Sequence, residues 1–518
     1  MYMTQCLHRT VQQNPEHLAT CFGERRQTYR QFVERVARLA GALQRLGMAP
    51  GDRVGMLAHN SDRYLEYLFA VWWGGGVLNP VNSRWSVPEV VYSLDDCNTG
   101  ILIVDEHFAG LAEGIRALVR MPTQFIYAGD GEVPAGMHGF EQLIADTPAV
   151  QDAGRSGDDL ACIMYTGGTT GFPKGVMQSH QNLWSACMPR MVDMPPIAGG
   201  RLLHVAPLFH VAGMARALIQ FMAGESHVLV ASFDAAHTLQ VIERERVTET
   251  LLVPSMILAL LAHPDLDRRD LSTLKRLTYG ASPSAGEMVE QLLARLPDIE
   301  LSHSYGLTEA CPVVSSNLPC NHTPQARASG LSRSVGRGGL GVQVKIVDPD
   351  GVEVPRGTVG EIIVRGPNIM RGYWNKPEET ARALRDGWLY TGDGAYMDEQ
   401  GYLFIVDRLK DMIVSGGENI YSAEVENVLA RHPAVAQCAV IGVPHAQWGE
   451  AVHAVVVCHP GAQVDAAQLR EHCRQFIAGY KCPKSVEFRQ QLPLSAAGKV
   501  LKRVLREPFA AGHPTPAN

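Results

Sequence analysis

The sequence contains no pair of cysteines at C-x-x-C spacing, although eleven cysteines are scattered from Cys6 to Cys482. That odd, dispersed set offers neither a disulfide framework nor a zinc site, and it fits a reducing cytoplasm. Long apolar runs are lacking as well. The longest, Leu251–Ala262, is twelve residues broken by Pro254, whereas a bilayer span needs about 20. The first seventeen residues hold no apolar signal core. No transmembrane segment is expected, although a membrane-resident substrate would bring the protein to a membrane surface. Basic excess is also missing: the net charge is −7 and the pI is near 6.3, which gives no electrostatic footprint for nucleic acid. One local exception is residues 480–506, with seven Lys or Arg against a single acid, Glu487. That run is either a solvated surface or a docking place for a small anion.

What is present is globular. The 518 residues are 46% apolar and 19% charged, enough for about three to four units of roughly 150 residues. Tyr29, Phe32, Val33, Val36, Leu39, Ala40, Leu43 and Leu46 fall on one helical face that ends at Gly47. A short strand, Arg53–Leu57, is expected next. Similar strands recur at Ile101–Val104, His227–Val230 and Thr250–Val253, each near a helical segment, which predicts layered α/β architecture with largely parallel sheets. After about residue 335 the pattern becomes a small antiparallel β region. Val342–Val347 and Glu361–Val364 are its strands, and Asp348-Pro349-Asp350-Gly351 is a turn between them. From about 407 a compact α+β unit follows, with helices at Glu424–Arg431 and Asp465–Phe476 and strands at Val435–Ile441 and Val452–Val457. The fold class is therefore α/β. A large N-terminal domain, residues 1–407, combines layered α/β subdomains with the small β region, and a smaller α+β domain spans 408–518.

Gly336-Arg337-Gly338-Gly339-Leu340-Gly341 matches G-x-G-x-x-G. A dinucleotide site needs that motif to follow a strand and open a helix. Here a strand pattern follows it, so it reads as a loop.

Tyr165-Thr166-Gly167-Gly168-Thr169-Thr170-Gly171-Phe172-Pro173-Lys174-Gly175-Val176 is the most informative stretch. It follows the strand-like run Leu160–Met164. Its glycines let backbone N–H groups wrap an anion, its threonines add hydroxyl donors, and Lys174 adds charge for terminal phosphates. Pro173 before the lysine and Gly175 after it exclude a Walker A loop.

This run resembles the signature of the acyl-adenylate-forming (AMP-binding) superfamily, which comprises acyl- and aryl-CoA synthetases, luciferases and the adenylation domains of peptide synthetases. The resemblance spans nearly the whole chain, because further motifs follow in the family's order. It leans toward medium- and long-chain fatty acyl-CoA synthetases and coumarate-CoA ligases. Gly167 stands where many members have serine, as in several long-chain synthetases.

The resemblance implies ATP contacts from Thr166, Gly167, Gly168, Thr169, Thr170, Gly171 and Lys174. It adds Gly280, Ala281 and Ser282, within Tyr279-Gly280-Ala281-Ser282-Pro283, alongside the adenine. In Ser304-Tyr305-Gly306-Leu307-Thr308-Glu309-Ala310, Tyr305 would stack on adenine, Thr308 would reach the α-phosphate, and Glu309 would hold Mg²⁺. Tyr390-Thr391-Gly392-Asp393 resembles Y-x-T/S-G-D without the spacer residue, with Asp393 on the ribose hydroxyls and Arg408 beside it. Phe209 and His210 would line and gate the acyl pocket, together with Gly280, Gly306, Pro312 and Val313. Lys410 matches the hinge of a mobile C-terminal domain. Lys499, in Pro493-Leu494-Ser495-Ala496-Ala497-Gly498-Lys499, matches the catalytic lysine. Gly416, Gly417, Lys481 and Lys484 would serve coenzyme A, although Cys482 stands where relatives often carry a basic residue.

The implied reaction activates a carboxylic acid with ATP and Mg²⁺ as an acyl-AMP, then passes the acyl group to CoA. Thr308, Glu309, His210 and Lys499 are its catalytic candidates. The small or apolar residues around Phe209, Gly280 and Gly306 favour an apolar acyl group, with a fatty acid first and an aryl or cinnamate-like acid second. Carrier-protein loading is a competing reading, but residues 204–213 hold no acid to grip a substrate amine. A luciferase-like oxidation has no positive support, and the intact motifs argue against a non-catalytic nucleotide-binding protein. A cytoplasmic location fits, and a homodimer is common among such relatives.

Overall fold

Thr28 caps the first helix that the apolar spacing predicts. Its hydroxyl accepts from the Gln31 backbone N–H while the Gln31 side chain accepts from the Thr28 N–H. The structure, a computed structural model, describes residues 1–510 apart from 122, 167–172, 281–285, 416–417, 446 and 495–499, and apart from the side chains of 286, 287, 410, 419 and 510. The helix runs Tyr29–Arg45 and buries Tyr29, Phe32, Val36, Leu39, Ala40 and Leu43, with Val33 and Leu46 packed on the same core. Each such large side chain contributes about 1.5–3 kcal/mol when fully buried. Gly47, at φ +102°, turns the chain toward the strand Arg53–Leu57.

That strand lies within an eight-stranded sheet ordered 372–373, 174–179, 160–166, 77–80, 53–57, 99–104, 124–127, 138–139. The sheet is parallel from 160–166 to 138–139, and 174–179 runs antiparallel to both its neighbours. A nine-stranded sheet has the order 337–338, 313–317, 300–306, 276–280, 249–252, 201–204, 226–229, 18–22, 25–28, parallel at its centre and antiparallel at both edges. Between the sheets, Tyr29–Arg45, Asp62–Trp73 and Val211–Ala223 share one buried cluster.

Every residue of Asp62–Trp73 is buried, including three charged ones. Each is paired: Asp62 with Arg25 at 2.8 Å, Arg63 with Asp130 at 2.6 Å and Glu141 at 2.8 Å, and Glu66 with Arg35 at 2.6 Å. Each partner outside the helix is itself partly or largely exposed, so water screens the pair and its net contribution lies below that of a fully buried one.

The third sheet is antiparallel and holds 343–347, 360–365, 388–397, 384–385 and 403–408. Its first hairpin turns at Asp348, whose carboxylate accepts from the N–H groups of Asp350 and Val352, with Gly351 at φ +82°. The G-x-G-x-x-G run opens no helix. Arg337–Gly338 pairs with Ser315 and Ser316, and the strand Gln343–Val347 follows.

Beyond residue 412 a fourth sheet joins 418–420, 413–415, 449–458 and 435–445, with 485–488 parallel beside 449–458. Helices Ser422–Leu429, Ala466–Arg474 and Lys502–Ala510 cover it. Two apolar clusters here draw only on residues from 413 onward. The first of these helices starts two residues before the expected Glu424, and Asp465 caps the second from outside. All eleven cysteines are free. The apolar run Leu251–Ala262 is split between a strand and the helix Pro254–Ala262. Among the described residues no helix is long and apolar enough to cross a membrane.

Candidate active site

Thr166 ends the strand Leu160–Thr166 and Lys174 opens the next, its antiparallel partner. Gly167, Gly168, Thr169, Thr170 and Gly171 lie outside the described residues, as do Ala281 and Ser282, Gly416 and Gly417, and Lys499. Lys174 holds its ammonium 4.4 Å from the centroid of the Tyr373 ring. The Tyr373 hydroxyl donates to Glu309 Oε1 at 2.8 Å. Burial, then the Glu309 charge, pushes the Tyr373 hydroxyl well above its ordinary pKa, so it remains a donor. Gln178, two turns of pleat beyond Lys174, donates to the Thr308 carbonyl at 2.9 Å. Lys174, Thr308 and Glu309 are thus brought to one place by Tyr373 and Gln178, neither of which the sequence motifs pointed to. Tyr373 reaches the site because Gly372–Tyr373 pairs with Val176 and Met177, a long-range pairing that leaves no local signal.

A second cluster joins Tyr305, Asp393 and Arg408. The Tyr305 hydroxyl donates to Asp393 Oδ2 at 2.6 Å, and Arg408 Nε lies 2.7 Å from Oδ1. Burial and the neighbouring Asp393 raise the Tyr305 pKa far above the phenol range. Asp393 is itself buried, and its N–H is held by the Thr391 hydroxyl.

The candidate acyl residues sit where backbones crowd. A Cβ on Gly306 would lie 1.6 Å from the Pro312 carbonyl oxygen, and one on Gly280 would lie 2.5 Å from that of Ser304. Only glycine fits either place. Val313 is the cross-strand partner of Gly306. Phe209 is buried, and His210 caps the helix Val211–Ala223 by accepting from the Ala212 N–H at 3.3 Å. Buried Asn60 braces the approach to them, accepting from the Leu208 N–H and donating to the Ala206 carbonyl.

Lys410 lies in the single turn Leu409–Asp411, between the strand ending at Arg408 and the one beginning at Ile413. The basic run reads differently in three dimensions. Lys481 is held by Glu424 at 2.8 Å, Lys502 by Glu426 at 2.8 Å and Arg506 by Asp411 at 2.7 Å. Arg489 pairs with Glu487 and Arg503 with Glu507. Lys484 instead sets its ammonium 5.2 Å from the Trp448 ring centroid. The excess positive charge seen along the chain is largely neutralised by carboxylates from elsewhere.

Among the described residues no group of three or more His, Cys, Asp or Glu could hold a metal. Glu309 accepts from Tyr373 through one oxygen. A lone carboxylate suits Mg²⁺ that arrives on nucleotide phosphates and keeps several waters. The donor set therefore fits such a metal.

Residues 7–374 match the family model of AMP-binding enzymes, and residues 424–499 match that of the AMP-binding enzyme C-terminal domain. A feruloyl-CoA synthase from an Amycolatopsis species is 41% identical over 97% of this chain and 98% of its own length. The long-chain-fatty-acid–CoA ligase FadD13 of Mycobacterium tuberculosis is 35% identical over 94% of each chain. The crystal structure of ATP-bound MatB from Rhodopseudomonas palustris superposes with a TM-score of 0.88 at 32% identity, covering 98% of this chain and 99% of that one. The chain belongs to the AMP-binding enzyme family, in its acyl-CoA synthetase branch.

Proposed function

We propose that the protein joins a carboxylic acid to coenzyme A in two steps at one site, through an acyl-AMP intermediate. The observation that carries this reading is the convergence of two clusters, Lys174–Tyr373–Glu309 and Tyr305–Asp393–Arg408. The glycine-flanked strands 276–280 and 300–306 run beside them.

A carboxylate is a poor acyl donor because its leaving group would be an oxide. Attack of its oxygen on the α-phosphorus of ATP forms a P–O bond, breaks the bond to pyrophosphate and yields a mixed anhydride. Negative charge grows on the phosphoryl oxygens and on departing pyrophosphate. Lys174, Thr308 and Lys499 stabilise it there, and electrostatic preorganisation of this kind contributes about 3–4 kcal/mol per well-placed donor. Mg²⁺ held by Glu309 supplies further neutralisation when bound. Asp393 accepts from the ribose hydroxyls, and Arg408 holds that carboxylate in place at 2.7 Å. Tyr305 stacks on the adenine, which Gly280, Ala281 and Ser282 also serve, and Thr166–Gly171 serve the phosphates.

The chain divides at 407/408, and the smaller domain turns about Lys410. Lys499 serves the first step; Gly416 and Gly417 line the path of the CoA thiol in the second. A lid-like exchange of this kind assembles each site in turn. Lys484 is the better CoA candidate, since Lys481 is already paired. His210 and Phe209 close the acyl pocket.

An apolar acyl group suits Phe209, Gly280, Gly306, Pro312 and Val313. A fatty acid is one occupant, as the name of FadD13 suggests. The 41% identity to a feruloyl-CoA synthase favours the aryl or cinnamate-like acid as a second reading. Incubating a panel of fatty and aryl acids with ATP, Mg²⁺ and CoA tests the proposal. Acid-dependent release of AMP with thioester formation is expected, and release of ADP or no turnover with any acid overturns it.

A further inference from the structure

The strand ends that carry Thr166, Lys174 and Tyr373 have a reverse face. Thr166 and Lys174 are cross-strand partners, as are Tyr165 and Gly175, and Val176 and Tyr373. Side chains alternate along a strand, so Thr166, Lys174 and Tyr373 share one face, with the Lys174 ammonium beside the Tyr373 ring. Tyr165 points the other way and shares an apolar cluster with Ile163, Cys97 and Trp374. A Cβ on Gly175 would lie 3.0 Å from the Tyr165 ring and 2.7 Å from Ile163. Glycine there leaves room for that ring.

Behind this face lies Asp96, the last residue of the helix Val87–Asp96. Its Oδ2 accepts from the Tyr165 hydroxyl at 2.6 Å. Its backbone carbonyl accepts from the indole N–H of Trp374 at 2.9 Å and from the Asn375 side-chain amide at 3.3 Å. The Trp374 backbone N–H in turn donates to the Gly175 carbonyl at 2.7 Å. One residue thus bonds two segments that lie 69 and 278 residues away in sequence. Burial pushes the Tyr165 hydroxyl far above the phenol range, so it remains a donor.

The position of Asp96 runs against local preference. The free carbonyls at a helix C-terminus disfavour a carboxylate. Neighbouring Asp95 is met there by Arg120 at 3.1 Å, whereas Asp96 is met by the neutral hydroxyl of Tyr165. An acid kept where its own helix opposes it serves something beyond that helix. What it holds is the weakest part of the sheet. Gly372–Tyr373 is a two-residue strand at the sheet edge, shorter than strands usually are. From that edge Tyr373 donates to Glu309 and lies under the Lys174 ammonium. A shift of residues 372–375 would therefore disturb Glu309 and Lys174 together.

We propose that Asp96 is a positioning residue for the adenylation step: through Tyr165 and Trp374 it anchors, from behind, the strand ends that aim Thr166, Lys174 and Glu309 at the phosphates of ATP. This rests on the reading of those groups given above and deepens it. The anchor bears on the phosphates that leave as pyrophosphate. It therefore matters for ATP and not for an acyl-AMP, which has lost them.

Two variants of the full chain test it. Tyr165→Phe removes one oxygen and keeps the ring, and Asp96→Ala removes the carboxylate and keeps the carbonyl that Trp374 uses. In acid-dependent pyrophosphate exchange each should raise the KM for ATP about fivefold or more, while the KM for the acid and CoA transfer from supplied acyl-AMP stay within about twofold. Asp96→Asn, which keeps an acceptor for Tyr165, should recover part of the loss. The double variant should be no worse than Asp96→Ala, because the same bond is lost in both. An unchanged KM for ATP in both single variants, or equal loss of both half-reactions, overturns the anchor. If Asp96→Ala does not fold, Tyr165→Phe decides alone. If the unmodified protein shows no exchange with any acid, the adenylation reading fails instead, and calorimetric titration with ATP and Mg²⁺ decides the anchor. Weaker binding in Tyr165→Phe than in the unmodified protein supports it, and equal or absent binding in both overturns it.

Discussion

Arg408 sets its Nε 2.7 Å from Asp393 Oδ1, and the two residues are direct cross-strand partners in the antiparallel pair 388–397 and 403–408. The sheet itself therefore fixes the carboxylate that would face the ribose, and the strand carrying Arg408 ends at the turn containing Lys410. Asp393→Ala would leave the partly exposed Arg408 guanidinium without its carboxylate and remove the ribose acceptor. The KM for ATP should rise at least tenfold, about 1.4 kcal/mol, in steady-state assays at saturating acid. An unchanged KM counts against the ribose role.

Tyr373 orients Glu309. Tyr373→Phe removes one donor to that carboxylate while keeping the ring beside Lys174. A hydrogen bond to a charged group is worth about 1.5–3 kcal/mol. The Mg²⁺ concentration for half-maximal adenylation should shift severalfold, measured by titrating Mg²⁺ at fixed ATP. No shift would make the contact merely structural.

Gly306 has no room for a side chain, since a Cβ would lie 1.6 Å from the Pro312 carbonyl. Gly306→Ala must push apart the segment that carries Thr308 and Glu309. Adenylation should fall more than tenfold with a lowered thermal midpoint, by calorimetry alongside the activity assay. Wild-type behaviour in both would contradict the packing described.

Much of this could be read along the chain, and the reason is locality. The helix 29–45 announces itself by spacing, and Asp348–Gly351 by turn chemistry, because both are decided by near neighbours. The motif residues Lys174, Glu309, Asp393 and Arg408 were legible because each motif is contiguous. Tyr373 was not: it acts through a strand pairing nearly 200 residues away in sequence. The basic run left its two readings open for the same reason. Lys481 meets Glu424 and Lys502 meets Glu426 only after the C-terminal sheet has formed.

The proposed roles of Lys499 and Lys410 can be told apart by step. Lys499→Ala should nearly abolish acyl-AMP formation while CoA transfer from supplied acyl-AMP proceeds; equal loss of both would sink that assignment. Lys410→Pro fixes φ at the hinge. Thioester formation should fall more than tenfold with adenylation retained, and unchanged overall turnover would speak against rotation there.

The central claim is that the acid is activated on ATP before any thiol is involved. Exchange of labelled pyrophosphate into ATP, measured without CoA, tests it most directly. Exchange that depends on the acid and on Mg²⁺ is expected. Exchange that requires CoA, or none with any acid of the fatty and aryl panel, would contradict it.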